Sequence, residues 1–188
     1  MHGIYRQIGR MAAAGRQVRL LRDVAGLAAV EFALILPVML TLYLGAVEAT
    51  HMLTANRRVT SVAYTAADIV AQAAAVSNAD MTDIFAASSA ILSPFSTAPL
   101  SVRVTSVVAN SSNVAKVAWS DGFQVAPRAV NSTVTLPAGL TTPGSSVILV
   151  EATYSYGSPL SEAVAGTIDF SETAYLKPRR TAQISRIN

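Results

Sequence analysis

At 188 residues, with 52% hydrophobic and only 13% charged side chains, the chain is too apolar for an ordinary soluble domain and long enough for one domain plus a membrane segment. Zero cysteines exclude a disulfide framework and thiolate metal sites. The formal charge of +3 does not signal nucleic-acid binding: Arg6, Arg10, Arg16, Arg19 and Arg22 all precede Gly26 against the single acid Asp23, and the rest of the chain carries nine basic and ten acidic residues with no basic stripe.

Residues 1–26 therefore read as a basic leader. An excess of arginine beside an apolar run is the positive-inside signal, which predicts a cytoplasmic N-terminus and an exported body. The apolar run is Leu27 to Val47, 21 residues in which Glu31 is the one formal charge. At 1.5 Å of rise per residue, about 20 residues cross the ~30 Å hydrocarbon layer, so this stretch suffices for a single transmembrane helix. Pro37 lies inside it and removes one helix hydrogen bond, which predicts a shallow bend.

From Glu48 to Val76 neither glycine nor proline interrupts the chain. Val59, Val62, Ala63, Ala66, Ile69, Val70 and Ala73 recur at spacings of three and four, so the helix is expected to continue as an amphipathic one with this stripe buried. A second, short helix is expected over "SNADMTDIFAASSAILSP". Asn78 or Asp80 is its expected cap, Met81, Ile84, Phe85, Ser88, Ile91 and Leu92 form its inner face, and it stops before Pro94.

After Pro94 valine, threonine, serine and tyrosine dominate. Leu100 to Ala109 and Val114 to Ser120 flank "NSSN" as a hairpin. Ser146 to Gly157 is the strongest strand, after the turn "TTPG", and Gly166 to Leu176 is a fourth. Ala126 to Ser146 reads as a loop. The expected fold class is α+β: one long helix and a short one packed on an antiparallel sheet of about four strands. The expected divisions are 1–26 leader, 27–47 span, 48–93 exported helical region and 94–188 exported β-rich region.

Little in the chain suggests catalysis. The histidines are His2 in the leader and His51 beside the span, and the chain contains no HExxH, P-loop, GxSxG or CxxC pattern. Asp80 and Asp83 suit a helix start. No catalytic, cofactor-binding or metal-binding residues are assigned, and enzyme activity is not expected. Glu48, Arg57 and Arg58 read as solvated flanks of the helix where it leaves the membrane.

Glu31 is the residue that needs a reason. A carboxylate about 7 Å into an apolar helix marks a function or a partner, or, lying near the end of the span, it snorkels to the headgroups at little cost. Its context is informative. A basic leader, Gly26, Leu27, three further residues, then Glu31-Phe32 and an apolar helix resembles the processing site of type IV prepilins and pseudopilins, which a membrane peptidase cuts after the glycine. The run "AAVEFALILP", Glu48 at the membrane edge and the Ala- and Arg-containing helix that follows resemble the TadE/TadG-like family of the tight-adherence (Tad, or Flp) pilus system over about residues 26 to 75. The strand "VEATYSYGSPL" is similar to one common near the end of such proteins. Many relatives carry cysteines in the exported domain, and this chain has none.

The resemblance implies a pilin-like fold and a non-enzymatic minor pilin or pseudopilin in the inner membrane. It implies prepilin peptidase as processing partner and related pilin subunits as assembly partners, with no nucleic acid and no cofactor. Gly26, Leu27, Glu31 and Phe32 would form the processing site. Leu27 and Glu31 would be the assembly contact, the carboxylate of Glu31 pairing with the new terminal amine of a neighbouring subunit. The competing expectations are a soluble exported binding protein with a signal peptide cut after Ala49, and an uncleaved membrane-anchored one.

Overall fold

The computed structural model describes residues 24–157 and 166–187. The leader arginines and His2 lie outside them. The chain divides into two compact units, one ending at Val47 and the other beginning at Glu48. Helix α1, Val24–Gln72, runs without interruption through Pro37. The Thr41 hydroxyl donates to the Pro37 carbonyl at 2.8 Å, a local bond typical of threonine in an apolar helix.

In the first unit the helix carries an all-round apolar surface, with Leu27 and Phe32 exposed by 60% and 58%. A helix that is apolar on every side has no polar face to turn to water, so it belongs in a large core or a bilayer. Its length and composition suffice for one membrane crossing.

In the second unit the same helix is one-sided. Ala55, Val59, Val62, Ala63, Ala66, Ala67 and Val70 are fully buried and share one core with the sheet. Ile69, expected in this stripe, is instead 37% exposed. The stripe drifts because 3.6 residues per turn carry position 69 to the flank of the face that positions 59, 62, 66 and 70 define.

After α1 come β1 (Ala75–Val76) and helix α2 (Asn78–Ala90). The α2 cap corrects the expected Asn78 or Asp80. Ser77 is the N-cap, accepting from the Asp80 N–H, while the Asp80 carboxylate accepts from the Ser77 N–H at 2.8 Å. This reciprocal box satisfies two helix-end donors at once, which neither candidate could do alone. Met81, Ile84, Ser88 and Leu92 are buried as expected, with Phe85 and Ile91 packed at the margin.

Strands β2 (Leu100–Ala109), β3 (Ala115–Phe123), β4 (Ser146–Tyr156) and β5 (Ile168–Leu176) form one antiparallel sheet in the order β3-β2-β4-β5. The fold class is thus α+β, as the composition of the two halves implied. β3 runs three residues beyond the expected Ser120, because Asp121, Gly122 and Phe123 still pair with Val104, Arg103 and Val102. Gly122 is required there: a Cβ would lie 2.0 Å from the Val125 carbonyl oxygen.

Alternation along the strands separates two clusters. Val102, Val104, Ile148, Val150 and Ala152 face the helices. Val107, Val117 and Leu149 face the other way, where Val134 and Leu136 of the 124–145 connection cover them. That connection also pairs with the open edge of β3 through Lys116 and Thr133.

The last strand, β6 (Ser185–Arg186), lies parallel to β1, a pairing no local pattern indicated. Ile184 beside it is fully buried, and its carbonyl accepts from the Trp119 indole at 2.8 Å.

Candidate functional site

The four residues expected to form a processing site lie in consecutive turns at the start of α1. Gly26, Leu27, Glu31 and Phe32 are all exposed within their unit. Leu27 and Glu31, four apart, share one side of the helix, and Glu31 makes no ion pair among the described residues. A Cβ at Gly26 would meet nothing within 4 Å, and its backbone is helical with no positive φ. Packing therefore does not demand a glycine, although glycine costs a helix interior about 1 kcal/mol relative to alanine.

This start of the helix is also where the comparison with known families falls. The model of a family described as TadE-like protein matches residues 26–68. The chain has a TadE-like segment. The matched stretch begins at Gly26, contains the whole apolar run and ends inside the amphipathic part of the helix. TadE-like proteins are structural components of the Tad pilus rather than enzymes. No curated protein and no solved structure matches the chain.

Within the TadE-like segment the structure differs from the sequence reading at Glu48. Its carboxylate is not a solvated flank: the Tyr156 hydroxyl, at the far end of β4, donates to it at 3.0 Å. The Tyr156 ring is buried and lies edge-on to Phe95 and tilted against Phe170, with ring centroids 6.1 and 6.0 Å away. Burial first, and the Glu48 carboxylate second, push the Tyr156 hydroxyl up to about 12. Arg58 is also engaged, donating to the Ile91 carbonyl at the end of α2. Arg57 is exposed and makes no ion pair among the described residues.

The end of the helix is secured separately. Arg179 pairs with Asp68, and its N–H donates to the Ala71 carbonyl at 2.9 Å. The Arg186 guanidinium reaches both oxygens of Asp121, at 2.9 and 3.1 Å, and also contacts Asn78 and the Val76 carbonyl. Asp121 raises the pKa of Arg186 further, against the opposing effect of burial. On the outer face of the sheet Glu151 accepts from both Arg103 and Arg128. Sequence reasoning missed all three arrangements. Their partners are tens to over a hundred residues apart, and isolated charges give no periodic signal.

These groups tie elements together instead of converging on a reacting centre. Among the described residues no three His, Asp or Glu side chains are grouped as metal ligands would be. These contacts hold the second half of α1, the sheet and the C-terminal segment together within the second unit.

Proposed function

We propose that this chain is a minor pilin or pseudopilin of the Tad pilus system, made with a leader that prepilin peptidase removes after Gly26. The observation that carries the reading is the TadE-like match over residues 26–68, which starts at the proposed cleavage glycine.

In this reading residues 1–26 are the cytoplasmic leader, 27–47 cross the inner membrane once, and 48–93 and 94–188 are the helical and β-rich parts of a periplasmic domain. Leu27 becomes the first residue of the mature chain. Its amine pairs with the Glu31 carboxylate of a neighbouring pilin subunit, so that two charges costly in hydrocarbon neutralise one another. The protein performs no catalysis and works by assembly with related subunits, in the membrane or in the pilus.

The test is the N-terminus of the protein purified from its native membranes, by intact mass and terminal sequencing. A chain beginning at Leu27 is the expected result. A chain beginning at Thr50 would mean ordinary signal-peptide cleavage, and one beginning at Met1 an uncleaved anchor; either overturns the processing.

A further inference from the structure

The C-terminal segment docks on the second unit in the manner of a bound peptide. Ser185 and Ile187 donate their backbone N–H groups to the Ala74 and Val76 carbonyls at 3.4 and 2.9 Å, which adds β6 in parallel to β1. Ile184, fully buried, is the apolar anchor, and the Trp119 indole donates to its carbonyl. Two residues on, the Arg186 guanidinium enters a cage of acceptors: Asp121 near the end of β3, Asn78 at the start of α2 and the Val76 carbonyl. Backbone pairing for affinity and side-chain pockets for specificity are the two parts of a groove that recognises an extended peptide. This groove reads Ile-x-Arg.

The hold on the segment is local. Between β5 and β6, residues 177–184 form neither helix nor strand, and Arg180, Ala182 and Gln183 are exposed. Single polar contacts fix this connection: Arg179 on Asp68 and the Ala71 carbonyl, and the Ser146 hydroxyl on the Ala182 carbonyl at 2.6 Å. The buried Thr181 hydroxyl has no hydrogen-bond partner among the described residues, so closing the segment forfeits a bond to water. One apolar anchor and a two-residue ladder open at less cost than the strands of nine to eleven residues beside them. Once open, residues 177–184 extend over about 26 Å, more than twice the width of a helix, which reaches a copy packed alongside.

We propose that residues 184–187 of one copy seat in the β1–α2–β3 groove of a second copy, which returns its own segment in exchange. The contacts made across the pair are those made within one chain, so exchange sacrifices none of them, and confinement to one membrane raises the effective concentration of the partner groove. Reciprocal exchange closes into a two-fold pair. With its axis along the membrane normal, both copies cross the membrane in the same sense and at the same height. The inference takes from the reading above only that copies share a membrane, and goes beyond it by naming a contact far from the apolar span.

The chain has no native cysteine, and Ala75 and Ser185 are register partners. Full-length Ala75→Cys and Ser185→Cys chains, carrying different tags, are co-expressed in native membranes and mildly oxidised. A disulfide dimer holding one of each is expected. Placing Asp121→Arg on the first chain and Arg186→Glu on the second should raise that dimer several-fold, because each segment is then repelled by its own groove and drawn to the other. Both reversals on the Ser185→Cys chain restore its internal pairing and should abolish the dimer, a contrast that misfolding does not produce. No mixed dimer with the native charges, a mixed dimer indifferent to where the reversals are placed, or disulfide dimers from either single variant expressed alone would each overturn the proposal. The readout does not involve the N-terminus, so failure of this exchange and failure of processing after Gly26 are read separately.

Discussion

The Tyr156 hydroxyl donates to the Glu48 carboxylate, joining the last residue of β4 to the first residue of the second unit across 108 positions of sequence. Glu48 immediately follows the apolar run. The bond therefore fixes the sheet to the helix where the chain leaves its membrane-length segment. Tyr156→Phe keeps the ring against Phe95 and Phe170 and deletes only the donor. It should cost about 1 kcal/mol, toward the low end for a bond to a charged group because Glu48 is half-exposed. Urea unfolding of the full chain in detergent measures it, and Glu48→Gln should not add its own full cost in the double variant.

The same pair sets an alkaline limit. The Tyr156 hydroxyl ionises at about 12 when folded, against the ordinary 10.0. A raised pKa on an acid means that the folded state holds its proton more tightly than the unfolded state does. The stabilisation is complete below pH 10 and is lost as pH rises toward 12. Unfolding followed at fixed denaturant across that window should show a loss that Tyr156→Phe reduces.

The Ser77–Asp80 box predicts an acid-side counterpart. The Ser77 N–H, and then its hydroxyl, hold the Asp80 carboxyl below its usual range. A depressed pKa contributes stability above the unfolded value of 3.8, lost as pH falls through the folded one. Helical content measured by circular dichroism should fall in that region less in Asp80→Asn than in the parent. Ser77→Ala should cost about 1 kcal/mol at neutral pH.

Arg186 is the bolt of the C-terminal segment. Arg186→Ala leaves Asp121, only 24% exposed, without its bidentate partner and frees the β6–β1 pairing. The expected loss is about 2 kcal/mol. Hydrogen exchange should localise the loosening to residues 184–187 and to β1, with β2 and β4 unaffected.

Glu31→Ala addresses the proposed assembly contact. Cleavage after Gly26 should proceed largely as before, while incorporation into pili falls. Normal pilus number in that variant, counted by electron microscopy, would sink the role given to Glu31.

How much of this was legible depends on range. The membrane-length run, the buried stripe of α1, the inner face of α2 and all four sheet strands follow from periodicities of 3.6 and 2, because each needs only neighbours within a few residues to show which face is apolar. Glu31 stood out for the same reason, as a charge inside an apolar run, and Gly26 only through the resemblance of its context to a prepilin processing site. Partner choice is different. Glu48 with Tyr156, Arg186 with Asp121, and Ile184 beneath Trp119 depend on a sheet order that places β4 between β2 and β5, and on a tail that returns to β1. No local pattern encodes those meetings, since the side chains involved are single polar or apolar residues at ordinary positions. Local patterning determined the elements and the membrane-length apolar segment, and long-range packing decided which charges were paired and which apolar groups, Leu53, Tyr64 and Ile69, were left facing out.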